Sequence, residues 1–210
     1  MDEPIQGMLS DLEARVLGCL MEKQMTTPDY YPLTLKALTA ACNQKSSRKP
    51  VMQLDENEVS VTINGLRARG LVTARMDGRA DRFEHHLARK LKLSGKEKAV
   101  LCVLMLRSMQ TLNEIRTHTA RMVTFDDAAD VQRTVDAMIE GGLLIRIPKA
   151  PGQREDRYAH LLCGEPDVDA IPAAAAGRSV QGALETRVAD LEQEVASLKA
   201  EIQRLRSLID

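Results

Sequence analysis

Two short strings bring an acid, a base and an aromatic ring together at matching spacing: Asp81-Arg82-Phe83-Glu84-His85 and Asp156-Arg157-Tyr158-Ala159-His160. They are the one constellation in the chain whose residue types suit acid–base chemistry. Read as strands, however, they place alternate residues on one face, so His85 shares its side with Phe83 and Leu87, and His160 with Tyr158 and Leu162. Both histidines are therefore expected in the core, away from any substrate. No nucleophile stands with a paired base, and no glycine loop is built to cradle phosphate. Cys19, Cys42, Cys102 and Cys163 lack the paired spacing of a zinc or redox site, and His85, His86, His118 and His160 form no ligand-like cluster. The expectation is a non-enzymatic chain with no catalytic residue, no metal and no cofactor.

What remains is electrostatic. Lys45, Arg48 and Lys49 crowd one loop, Arg67, Arg79 and Arg82 follow it, and Arg154 and Arg157 stand in the later copy of the same string. Such cations neutralise phosphates, and these eight are the nucleic-acid-binding candidates. Net charge is −1, with 12 Lys/Arg against 12 Asp/Glu in residues 1–89, 12 against 9 in 90–162, and 5 against 9 in 163–210, so any polyanion surface must be local. Only 2% of residues are aromatic, too few to stack single-stranded bases, which leaves double-stranded DNA. Acidic residues oppose even that: Asp55, Glu56 and Glu58, then Asp126, Asp127 and Asp130, open the two helices that would approach the duplex. Carboxylates at a helix start also stabilise it by about 0.3–1 kcal/mol. Two partner classes stay open, duplex DNA and another protein held by the same surfaces.

The elements that position these residues occur twice. Ser10-x-x-Glu13-x-x-Val16-Leu17-x-x-Leu20 returns as Ser94-x-x-Glu97-x-x-Val100-Leu101-x-x-Leu104, each a capping box followed by an apolar helical stripe. Val59, Ile63 and Leu66 before Gly70-Leu71-Val72 return as Val131, Val135 and Met138 before Gly142-Leu143-Leu144. In both, glycine ends a third helix and the chain turns into a strand. Leu35, Leu38 and Cys42 mark one second helix, and Thr111-x-x-Glu114 caps the other. Asp77-Gly78 and Pro151-Gly152 supply hairpin turns. The fold class is mostly α with small β hairpins: two tandem winged helix-turn-helix domains, 1–89 and 90–163, each with its own hydrophobic interior. Ala99 to Leu106 is apolar all round, so this helix is expected to pack against the other domain or a second chain.

Residues 164–182 read as a linker and 183–210 as a coiled-coil helix. Leu184, Leu191, Leu198 and Leu205 occupy d, and Val188, Val195, Ile202 and Ile209 occupy a, the pattern of a parallel two-stranded coil. Arg187 with Glu192, Glu194 with Lys199, and Glu201 with Arg206 are opposite in sign across that seam. A homodimer is expected, the alternative being a helix folded back on its own chain. There is no membrane-length apolar run and no signal-like start, which points to the cytoplasm.

Residues 9–54 carry a dense string: Leu9 to Gln24, Thr26-Thr27-Pro28, Tyr31-Pro32-Leu33, and Ala41-Cys42-Asn43-Gln44-Lys45-Ser46 with Arg48, Pro50, Val51 and Met52. It resembles the YceH family of uncharacterised bacterial proteins. The resemblance implies a tandem winged-helix architecture and no activity, substrate or cofactor.

Overall fold

The computed structural model describes residues 8–77, 80–149 and 153–166. The heptads of 183–210, most of the linker and the hairpin tips lie outside them. The chain is α+β. It opens with α1 (Asp11–Thr26), a two-residue strand β1 (Leu33–Thr34), α2 (Leu35–Cys42) and α3 (Glu56–Ala68), then β2 (Val72–Asp77) and β3 (Ala80–His85). A single turn, α4 (Leu87–Lys90), leads to the second copy: α5 (Gly95–Arg107), α6 (Leu112–Thr119), α7 (Ala128–Glu140), β4 (Leu144–Ile147) and β5 (Arg157–His160). No helix of the described residues is long and apolar enough to cross a membrane.

Helix starts follow from the caps. Ser10 with Glu13, Ser94 with Glu97, and Thr111 with Glu114 each exchange side-chain and backbone hydrogen bonds across the first turn, and Asp55 does the same with Glu58. These satisfy donors that the helix leaves unpaired. Gly70 and Gly142 end the third helices at φ +66° and +70°, the left-handed region where a side chain is strained.

The sheets differ between copies. In the first, β3 pairs antiparallel with β2, from Val72 opposite His85 to Asp77 opposite Ala80, and with β1 through Leu33 opposite Phe83. The second keeps β4 against β5 and only an isolated bridge from Gln110 to Tyr158 where the third strand would lie. β5 starts at Arg157, two residues later than its counterpart β3, which starts at Ala80, the equivalent of Glu155. Asp156 is the reason: its carboxylate accepts from the Lys149 N–H at 2.9 Å and pairs with Arg146, closing the ladder early.

Val59, Ile63, Leu66, Val131, Val135 and Met138 all lie inside. The two interiors are not separate, however. One hydrophobic cluster runs through both copies because α1 and α5 pack against each other, and all eight residues from Ala99 to Leu106 are buried in that contact or against their own copy. The expectation that this all-apolar helix is covered by the other copy holds. Gly18 makes the approach possible: a Cβ built there would lie 2.9 Å from Leu106 Cδ2, and Cys102 Sγ donates to the Gly18 carbonyl at 3.4 Å. Elsewhere the copies are tied by Leu9 N–H to Leu162 O at 2.7 Å and Lys98 Nζ to Gln24 Oε1 at 3.3 Å.

His85 is buried and His160 half-buried, and both Nδ1 atoms are enclosed without a hydrogen-bond partner. His85 Nε2 contacts Gln24 Oε1 at 3.0 Å. Burial pushes both down to about 4, with Lys98 and His86 adding to the effect at His85. They behave as neutral core residues.

Two outcomes are expected. Gly18→Val lowers unfolding free energy by about 2–3 kcal/mol through overpacking, whereas Gly65→Ala, on α3 with open space around it, raises it by up to about 1 kcal/mol; urea titration that finds the same sign for both contradicts the α1–α5 account. For pH, unfolded histidine binds its proton near pH ~6.5, so above that both states are neutral and the stability is complete. As pH falls from there through the folded value of about 4, only the unfolded chain is protonated and stability is lost. His160→Leu should show a shallower loss between pH 6.5 and pH 4 (, ~2 pH units) than the wild type, and equal slopes would refute the assignment.

Candidate nucleic-acid interface

α3 buries Val59, Ile63 and Leu66, so the residues between them must face out. Asn57, Val61, Asn64 and Ala68, spaced four, three and four apart, form that outer stripe, all exposed, with Val61 64% accessible. The stripe holds two amides, two apolar side chains and no charge. Its acidic neighbours Asp55 and Glu58 sit at the helix start as mutual caps. Arg67 stands beside the stripe and donates to Asn64 Oδ1 at 3.3 Å.

The equivalent stripe of α7 is Ala129, Arg133, Asp136 and Glu140. Two of its charges are engaged locally: Arg133 lies 3.6 Å from Asp130, and Gln132 Nε2 donates to Asp136 Oδ1 at 2.7 Å. Asp130 itself is buried and takes the Lys96 ammonium at 2.6 Å. The two third helices therefore present different chemistry on the same frame.

The eight cations chosen from the sequence divide. Lys45 and Lys49 are exposed in the loop between α2 and α3, Arg67 is exposed at the end of α3, and Arg154 is exposed beside the second hairpin. Arg79 lies outside the described residues. Arg82 is half-buried and donates to Pro32 O at 3.1 Å, and Arg157 donates to Met109 O at 3.2 Å and Glu114 Oε2 at 3.3 Å, so both fasten strands to neighbouring turns.

Arg48 does not face solvent. Its side chain is 0% accessible, and it grips both Glu22 oxygens, at 3.0 and 2.5 Å, while Nε donates to Ala41 O at 3.0 Å. Burial works against its charge, and the Glu22 pairing more than offsets this, leaving its pKa above the usual guanidinium value. Arg15, also buried, donates to Cys42 O and Pro50 O at 3.1 and 2.6 Å. Asn43 spans the same loop, exchanging bonds of 2.7 and 2.8 Å with Leu54. Three polar side chains thus set the path from α2 to α3, which fixes how α3 is presented. Sequence reasoning missed Arg15 and Asn43 in this role, and their signal was weak: one polar residue on an apolar helical face, one asparagine after a helix.

Two hollows adjoin these surfaces. One, of about 580 Å³, lies between α6, α7 and the second hairpin, with Arg116, Arg146, Lys149 and Arg154 on its walls beside Glu155 and Asp156. The other, of about 530 Å³, lies at the seam between the copies, bounded by α1, the loop after α2, α5 and α6.

Removing Arg48 leaves Glu22 without its bidentate partner and Ala41 O without a donor. Arg48→Ala should lower stability by about 3 kcal/mol in urea unfolding, and an unchanged midpoint would return Arg48 to the surface set.

A family model described as "Protein of unknown function, DUF480" matches residues 9–153, from just before α1 to the loop after β4. A UPF0502 protein of Vibrio vulnificus strain YJ016 is 44% identical over 213 residues, covering 96% of this chain and 97% of that protein. Another, from Geobacter sulfurreducens, is 47% identical over 197 residues, 91% of this chain and 90% of that one. A third, from Xanthomonas campestris pv. campestris strain B100, is 44% identical over 211 residues, 97% and 95% of the two chains. Relatives that match at this identity along nearly their whole length leave one assignment, in agreement with the resemblance carried by residues 9–54: the chain belongs to the DUF480 family of UPF0502 proteins.

Proposed function

We propose that the protein is a dimeric, non-enzymatic DNA-binding protein of the transcription-regulator kind, built from two winged-helix domains, and that the first domain reads the duplex with α3. Three helices followed by a hairpin, with a left-handed glycine between the last helix and the first strand, is the order in which a winged helix places its third helix in the major groove. The observation that carries the reading is the outer stripe of α3. Amides such as Asn57 and Asn64 can bond the adenine edge in pairs, and Val61 and Ala68 can pack on thymine methyls. Lys45, Lys49 and Arg67 supply phosphate contacts around it, and Arg79 is a further candidate from the sequence alone. The heptad residues Leu184 to Ile209 give the pairing that a two-half-site operator needs.

A second reading has its own observation. Tyr30, Val51, Val61 and Met76 are exposed large hydrophobic side chains, Met76 at 88%, and all belong to the first copy. On an adaptor they would dock another protein.

Fluorescence anisotropy with random and selected duplexes separates the two. The DNA reading expects affinity that falls steeply with salt, by a log–log slope of about −0.9 for each phosphate contacted. Val61→Glu should weaken binding at least tenfold (~1.4 kcal/mol), and Asn64→Ala should relax sequence preference by about 1–3 kcal/mol at one base pair. Both side chains are exposed, so the melting temperature should hold. No duplex binding at low salt, or full binding by Val61→Glu, would leave the adaptor.

A further inference from the structure

The hollow at the seam is lined by four cations and one carboxylate. Lys23 comes from α1, Lys45 from the loop after α2, Arg107 from the end of α5 and Arg121 from just past α6. The carboxylate is Glu22, and it is already taken by buried Arg48 through both oxygens. Counting that pair as neutral, the walls hold an excess of four positive charges gathered from four parts of the chain. Burial holds the Arg107 guanidinium below its usual pKa, with Glu22 opposing the effect and Arg48 adding to it. Like charges held together in a partly desolvated hollow cost stability, and an anion would return it.

Three helices end near this hollow, and helix C-termini carry about −0.5 charge each, which taken alone favours cations. The end carbonyls are occupied, however. Glu22 O accepts from Thr26 Oγ1, Lys23 O from the Thr27 N–H and Oγ1, Leu106 O from the Lys49 N–H, and Thr119 O from the Met122 and Val123 N–H groups. Their partial charge offsets only part of the excess. At least about two and a half positive charges remain, enough to hold a phosphomonoester dianion.

The remaining lining fits that ligand. Ser46 brings a hydroxyl that can donate to a phosphate oxygen, while Val103, Leu106 and Met122 form an apolar side for an organic portion. Ser47 Oγ already accepts from Arg107 Nη2 at 2.7 Å, which aims that guanidinium. About 530 Å³ is in the range of pockets for small metabolites.

We propose that the seam hollow binds a small phosphomonoester, with Lys45 and Arg121 as its outer clamps and Arg107 at its inner end. The walls come from both copies, so an occupant braces one against the other.

The test is isothermal titration of the full chain at constant ionic strength with inorganic phosphate, AMP and adenosine, beside a Lys45→Ala/Arg121→Ala double variant. Both residues are exposed, and circular dichroism with the melting temperature checks that the variant folds. Saturable binding of AMP at one per chain, tighter than phosphate and at least tenfold weaker in the variant, supports the site. Adenosine binding as well as AMP would show that the phosphoryl group is not what is recognised, and would overturn it. Absence of saturable binding by phosphate and AMP, or equal binding by the variant, would overturn it too. A 20-base-pair duplex arm separates the two sources of phosphate: if the variant loses duplex affinity while the wild type takes no small anion, these cations belong to a DNA footprint and the proposal falls. The duplex reading itself is tested on α3, through Val61 and Asn64, so either idea can fail alone.

Discussion

The approach of α1 to α5 is the constraint on which the rest of the structure depends. A unit of some 75 residues buries only about 60% of its unfolded surface and is marginal alone. Here each copy contributes one apolar helix to a shared interior, and the two helices meet where Gly18 has no side chain to keep Leu106 and Met105 away. Buried leucines such as Leu17, Leu20, Leu101 and Leu104 each contribute about 1.5–3 kcal/mol on leaving water, and they do so on both sides of the contact. The seam hollow lies beside this contact, between the ends of α1 and α5, where the loop after α2 is fastened across by the Lys49 N–H on Leu106 O and by Arg107 on Ser47.

Much of the frame was legible in the letters because it rests on short-range rules. A serine or threonine with glutamate three residues on can satisfy one set of backbone donors in one way, and Ser10, Ser94 and Thr111 do so. Gly70 and Gly142 were equally plain, since the left-handed exit excludes most other residues. Ala99 to Leu106 announced a partner by having no polar face, and what it could not announce was how far the partner would merge the two interiors.

The misreadings share a cause: each depended on a residue far away in sequence. Arg48 stands in a run with Lys45 and Lys49, and such a run looks like a solvated face. Its burial is decided by Glu22, 26 positions earlier, and by the end of α2. Arg157 looked like a wing cation and is held by Glu114, 43 positions away. β1 is two residues long and exists only because Leu33 meets Phe83 in a sheet that its own sequence does not announce. The outer stripe of α3 is different in kind. It was implicit in the spacing of Val59, Ile63 and Leu66, but it becomes informative only when exposure shows that Val61 is left uncovered.

Two copies of one frame also separate what the fold requires from what it leaves free. Thr34 and Thr111 cap α2 and α6 alike, and Phe83 and Tyr158 take equivalent places, one opposite Leu33 and the other opposite Gln110. Such matches are demanded by backbone satisfaction and core volume. The outward positions carry no such demand, and there the copies diverge: Asn57, Val61 and Asn64 on α3 stand against Ala129, Arg133 and Asp136 on α7. Arg133 pairs with Asp130 and Asp136 takes Gln132, so α7 satisfies itself. α3 keeps two amides and a valine in water with nothing from its own copy to cover Val61. An exposed valine between amides contributes little to folding, so its place is better explained by what α3 meets than by what holds it. Under the proposed reading recognition lies on the first copy, and the second supplies the far wall of the seam, from Arg107 and Arg121.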